Sequence, residues 1–326
     1  MIEQQQANQT LGEWAYIAIA NQYNRYNQYE KEVLKDKDPE HLHKMRVGMR
    51  RLRSIIACFA LAVDLPTNVT PTSIGKVAKI LGKLRDIDVL QETLVTQYQP
   101  HIPKSEQKSL EIVFKKLKKQ RKSAFKAVSK TLKGKSYSKL QNNFQLWLDN
   151  PKYQSIAALD VKQILPDLLL PQISYLLLHP GWLIGLDITD GAIAFFDIKK
   201  ITMENDISLT QEKILHDLRK VAKQTRYNME LFQELYCPTY SNYLEEIKEI
   251  QIVLGMIQDY FILEQFLQQI LKQKIAQTMP TLNEILREKR QQQWQKWQTK
   301  QEDFLNIFKR QDLRTVVQYP LNGMYF

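Results

Sequence analysis

His43, Arg46, Arg50 and Arg53 return as His216, Arg219, Lys223 and Arg226, each 173 positions later. At about 100° per residue, the three cations after His43 fall within roughly 80° of it, and Leu52, Ile55, Ile56 and Phe59 take the opposite side. The second copy repeats the division, with Leu218, Val221, Met229 and Phe232 on its apolar face. Arginine forks match phosphate oxygens bidentately, lysine supplies a point charge, and histidine donates one hydrogen bond and changes charge near neutral pH. Like charges at i, i+3 and i+4 repel, by a few tenths of a kcal/mol per pair, unless an anion neutralises them. One such strip is ordinarily a solvated helix face, but solvent alone does not require matching positions in two copies. The repeat therefore points to a polyanion as ligand.

The register continues beyond the strip, where Leu81-Gly82 and Asp86 return as Leu254-Gly255 and Asp259. Glycine inside a helix costs about 1 kcal/mol against alanine, so Gly82 and Gly255 are expected to permit close approach of a neighbouring helix. Asp86 and Asp259 are assigned a structural role, orienting arginines of the basic helix, because no nucleophile or base accompanies them at repeated spacing. Lys76, Lys79 and Lys83 extend the cationic face of the first copy, although Lys79 and Lys83 fall opposite Ile252 and Met256 in the second. Residues 115–135 hold ten basic side chains and no acidic one, with Lys115, Lys119, Lys122 and Lys126 at helical spacing as a secondary basic surface.

Positioning these residues requires helices. Ten glycines and twelve prolines in 326 residues leave long segments rich in Leu, Lys, Gln, Glu and Ile. Helices are expected at about 10–35, 40–63, 73–97 and 105–133, and again at about 162–178, 209–236, 241–272 and 281–311. Ser208 and Ser241 read as helix starts, Pro238 and Pro280 as stops. Between Trp182 and Lys199, apolar alternation around Thr189-Asp190-Gly191 reads as a β-hairpin, which must pack on something because a lone hairpin is marginal in water. The reading is all-α, with a first helical half at 1–136 and a second at 137–326 that includes the hairpin.

The net charge of +11 is concentrated rather than spread. Cys58 and Cys237 are too few and too unmatched for a disulfide framework. Met1 to Thr10 is glutamine-rich with no apolar run, and the apolar stretch from Ile164 to Leu186 is broken by Pro166, Asp167, Pro171 and Pro180. Neither a secretory signal nor a membrane span is expected, and a cytoplasmic protein is. The aromatic residues Trp294, Trp297, Phe304, Phe308, Tyr325 and Phe326 are assigned to helix packing.

Taken in order, His43-Lys-Met-Arg46-Val-Gly-Met-Arg50-Arg51-Leu52-Arg53, Leu84-Arg85-Asp86-Ile87-Asp88-Val89, His216-Asp-Leu-Arg219, Lys223-Gln-Thr-Arg226-Tyr227 and Leu254-Gly255 with Gln258-Asp259 resemble the CHAD family, the conserved histidine α-helical domain. The resemblance runs from about residue 10 to beyond 270. It implies two four-helix bundles related by a pseudo-twofold axis, with a basic cavity between them that binds inorganic polyphosphate, often at polyphosphate granules. Carried over by motif, the anion contacts would be His43, Arg46, Arg50, Arg53, His216, Arg219, Lys223 and Arg226, widened by Lys79 and Lys83. Gln224, Thr225 and Gln258 depart from the pattern, and the hairpin is not a general family feature.

Polyphosphate suits the residues independently, since a flexible polymer without bases needs cations and no aromatic stacking platform. Some relatives carry a triphosphate tunnel domain, but its Glu-x-Glu-x-Lys pattern is missed where Glu30-Lys31-Glu32 runs into Val33-Leu34, and no Walker glycine loop is present. No enzyme activity and no cofactor are expected. A metal at His43 and His216 is disfavoured because both sit among arginines. The alternative is a nucleic-acid or general polyanion-binding protein, since cationic helices alone do not distinguish phosphate polymers.

Overall fold

The computed structural model describes residues 9–189, 192–195 and 209–321. Asp190, Gly191, residues 196–199, Ser208, Tyr325 and Phe326 lie outside them. The chain divides into two compact units, Met1–Ile164 and Leu165–Phe326.

The first unit begins with α1 (Leu11–Asn27), started by a capping box in which Glu13 N–H donates to Thr10 Oγ1 and the Glu13 carboxylate accepts from Thr10 N–H. A short α2 (Glu30–Lys35) follows. The basic helix is α3 (Pro39–Cys58), with Asp38 as N-cap and Pro39 in the first turn, where a missing N–H costs nothing. Its Leu42, Met45, Met49, Leu52, Ile55 and Ile56 are buried, and it packs against both α1 and α4 (Pro71–Thr93). One π-helical turn, Leu94–Tyr98, extends α4. The lysine-rich helix is α5 (Lys104–Leu132).

A further helix, α6 (Lys135–Asp149), is absent from the sequence expectation and changes the division of the chain. Its Phe144 ring lies 5.2 Å from Tyr23 and its Trp147 ring 6.1 Å from Tyr16. Gln141 Oε1 accepts from Tyr26 Oη at 2.8 Å, and Tyr137 Oη donates to Glu30 at 3.1 Å. Residues 137–149 thus complete the core of the first unit, whereas the sequence placed them in the second half. The unit boundary falls at Ile164 instead of residue 136.

In the second unit, α7 (Val161–Leu177) leads through a 3-10 turn to strands β1 (Leu186–Thr189) and β2 (Ala192–Phe195). The strands pair antiparallel with Leu186 opposite Phe195 and Thr189 opposite Ala192, a two-residue hairpin in the expected place. Trp182, expected at its start, instead belongs to the preceding turn and anchors it. Its ring stacks 5.2 Å from Trp297 and 5.3 Å from Phe304, and Gln301 Nε2 donates to the carbonyls of Trp182 and Ile184. Gly185 then turns the chain at φ +78°, where a Cβ would stand 2.7 Å from the Trp294 ring.

The remaining helices are α8 (Leu209–Glu230), α9 (Pro238–Leu271), α10 (Ile275–Thr278), α11 (Pro280–Leu305) and α12 (Ile307–Gln318). Pro238 and Pro280 start α9 and α11 rather than stop their predecessors, for the same reason that Pro39 starts α3. Ser241 lies inside α9. The long helix expected at 281–311 breaks at Asn306, whose side chain caps α12 by accepting from Phe308 N–H at 2.9 Å. Trp294, Trp297 and Phe304 are buried as expected, but Phe308 is exposed. Among the described residues α9 alone is long and apolar enough to cross a membrane, and half of that stretch is buried inside the protein. Both cysteines are free, and burial pushes the Cys58 thiol up to about 12.

Candidate functional site

The cationic strip of α3 lies beside α4. His43, Arg46 and Arg50 are half-buried and Arg53 is exposed. Arg46 crosses α4 at Gly82, where an added Cβ would stand 3.1 Å from Nε, and its Nη2 lies 3.3 Å from Asp86 Oδ1. Arg53 crosses at Gly75, with Nη1 3.2 Å from the corresponding point. The glycines therefore make room for guanidinium groups, not for a neighbouring helix backbone. Asp86 is largely solvated, so its pair with Arg46 is worth about 1 kcal/mol or less and leaves the other edge of the guanidinium available.

The second unit repeats the seating of Arg46. Arg219 of α8 lies over Gly255 of α9, with Nη2 3.0 Å from where a Cβ would stand, and Nη1 is 3.9 Å from Asp259 Oδ1. Both histidines titrate below their ordinary value. Burial lowers His43 most, followed by the charge of Arg85; burial lowers His216 most, followed by Lys220 and Arg219. Among the described residues, Nε of Arg219 and Nδ1 of His216 in the second strip, and Nε of Arg85 on α4, are buried without a hydrogen-bond partner. In each unit, then, a histidine of lowered pKa stands beside an arginine seated over a glycine and edged by an aspartate.

No curated protein matches the chain. The CHAD domain profile matches residues 17–268, across both strips. The chain belongs to the CHAD family. Among solved structures, the CHAD domain from the plant Ricinus communis aligns at 21% identity over 96% of this chain and 94% of that one, with a TM-score of 0.59. PptA from Streptomyces chartreusis aligns at 14% identity over 88% of this chain and all of that one, with a TM-score of 0.60. At these identities the likeness is one of fold.

The two halves of this CHAD protein differ in cation supply. Lys79 and Lys83 are exposed on α4, whereas Ile252 and Met256, their counterparts on α9, present exposed apolar side chains. Arg85 stands among the charges acting on His43, but its counterpart Gln258 is buried and donates to Glu212 Oε1 at 3.0 Å. Arg226, expected as an anion contact, is buried and occupied: Nη1 donates to Glu230, Nε donates to Gln251 at 3.0 Å, and the guanidinium lies 4.6 Å from the Tyr227 ring centroid. Thr225 beside it is also buried. A cation held inside by a carboxylate serves packing, whereas His216, Arg219 and Lys223 on the same helix are half-buried.

Two groups escaped the sequence reading. Arg85 was visible only as part of a motif string, because its neighbourhood to His43 is a contact between helices. Arg121 clamps α5 in place: both Nη atoms donate to Asp36 at 2.7 Å, and Nε donates to Asp88 at 2.7 Å. These pairs raise the Arg121 pKa. Asp36 can meet the fork because it ends α2 in the left-handed conformation, φ 52°. The one available signal was that Arg121 falls on the apolar side of α5, four residues after Leu117. Lys115, Lys119, Lys122 and Lys126 are all exposed on that helix.

Proposed function

We propose that this CHAD protein binds inorganic polyphosphate without transforming it. The observation that carries the reading is the repeated seat: in each half an arginine lies in a glycine notch, edged by a solvated aspartate and flanked by a histidine of lowered pKa. Such a seat offers oriented donors to phosphate oxygens, and an arriving anion raises the histidine pKa and recruits a further charge. Family membership supports polyphosphate as the polymer, as the motif resemblance implied. The exposed large apolar residues of α3, α4 and α8 include no aromatic ring, which favours a polymer without bases over single-stranded nucleic acid. Phosphoryl transfer ordinarily employs carboxylate-held metal ions. Among the described residues no group of three or more His, Cys, Asp or Glu is placed to hold one.

The test is a titration with long-chain polyphosphate, with charge-matched single-stranded and duplex DNA as competitors, comparing wild type with Arg46→Glu/Arg219→Glu. Salt-sensitive binding that DNA does not displace and the folded variant loses is the expected result. Equal competition by DNA would favour a general polyanion surface. By the same proposal the protein acts in the cytoplasm at polyphosphate granules, which a fluorescent fusion and a polyphosphate stain would show as coincident or separate foci.

A further inference from the structure

The lysines of α5 form a surface of their own. Lys108, Lys115, Lys119, Lys122, Lys126 and Lys130 fall within about 80° of helix circumference. At 1.5 Å per residue they make a row about 33 Å long. All six are exposed, and among the described residues none is engaged in an ion pair. Glu111 is the one carboxylate on the flank of the row. The opposite side of α5 carries Leu110, Val113, Leu117 and Val128, all buried, together with Arg121. Since Arg121 reaches Asp88 of α4, the row is turned roughly 140° away from that contact, and therefore away from the α3–α4 strip.

The chemistry of the row differs from that of the strip. The single arginine of α5 is consumed inward on the opposite side, and the cations of the row are lysines only: point charges on flexible stems, which attract phosphate without fixing its geometry. Neighbours at i+3 and i+4 repel one another along the row, and the Arg121 clamp with its three short hydrogen bonds holds the helix against that repulsion. No exposed aromatic side chain lies on the row to stack a base, and Ile112 is the one exposed large apolar side chain of α5, too little for insertion into a bilayer. A long, flexible, base-free polyanion fits this row.

We infer that the α5 lysine row is a second polyphosphate-contact surface, engaged only by chains long enough to pass from the α3–α4 strip over α5. This rests on the polyphosphate reading above. The path is about one helix diameter, roughly 10 Å, so an oligomer of a few phosphates seated on α3 does not reach the row, whereas a long chain does. The row then adds affinity through effective concentration instead of through a tight seat.

The experiment compares tripolyphosphate with long-chain polyphosphate, at several salt concentrations, for wild type and for Lys115→Gln/Lys119→Gln/Lys122→Gln/Lys126→Gln. Exposed lysine to glutamine changes on a helix leave folding intact, which circular dichroism verifies. The expected result is unchanged tripolyphosphate binding, a long-chain affinity reduced about tenfold or more, and a log–log salt slope shallower by about 3, four contacts at ~0.7 each. Unchanged long-chain affinity and slope overturn the inference. Equal loss for both ligands also overturns it, by placing the row in the same seat as the strip. Single-stranded DNA relieving the long-chain excess as well as polyphosphate does would overturn the choice of polymer. Failure of wild type to bind either phosphate ligand would instead sink the α3–α4 reading, so the two proposals fail separately.

Discussion

Replacing Gly82 by alanine should separate stability from binding in an unusual direction. In a helix interior the change favours folding by about 1 kcal/mol, because alanine loses less backbone freedom and shields the helix. The new methyl would stand 3.1 Å from Arg46 Nε and 3.6 Å from Nη2, so the guanidinium must retreat by a few tenths of an ångström. Arg46 is about a quarter exposed and has room to do so, which keeps the steric cost below the gain. The displaced fork loses its aim at the anion. A charge-assisted hydrogen bond contributes about 1.5–3 kcal/mol, and forfeiting part of one costs about 1 kcal/mol, near fivefold in affinity. Gly255→Ala should cost more, since three atoms of Arg219 lie at 3.0 to 3.2 Å from the added carbon. Urea unfolding and polyphosphate titration of the same preparations measure both quantities. If Gly82→Ala binds as tightly as wild type, the notch does not aim the arginine. If it unfolds more easily by over 1 kcal/mol, the glycine serves packing alone.

Four further outcomes concern the same residues. The lowered pKa values of His43 and His216 mean that the unfolded chain binds more protons between their folded and ordinary values, so stability rises with pH through that window and His43→Gln/His216→Gln flattens the dependence in thermal melts. Polyphosphate raises both values, so binding takes up protons and tightens as pH falls toward the ordinary histidine range, which calorimetry in buffers of different ionisation enthalpy detects; no proton uptake would remove the histidines from the site. Arg226→Ala removes a buried guanidinium from between Gln251 and Glu230 and should destabilise by about 1.5–3 kcal/mol, while the fraction that folds binds polyphosphate like wild type. Ile252→Lys/Met256→Lys copies the exposed cations of the first half onto α9 and should steepen the log–log salt slope by about 1.4 with little change in melting temperature.

The sequence by itself determined the helical class, the hairpin around Thr189-Asp190-Gly191 and the repeated cationic strip, because each is a periodic pattern: 3.6 residues for a helix face, two for a strand, 173 for the repeat. Even α6 was legible in principle, with Tyr137, Leu140, Phe144 and Trp147 along one face, yet its place in the first unit was not, since Tyr23 and Phe144 meet only across more than a hundred residues. Only the tertiary structure decided which cations are free to meet an anion. Arg219 and Arg226 sit on the same side of one helix and are alike in composition, spacing and charge. One lies over a glycine and is about a quarter exposed, the other is buried against Glu230 and Gln251. A side chain's charge is fixed by its type, but its availability depends on desolvation and on the partners that neighbouring elements bring, and those are properties of the packed chain.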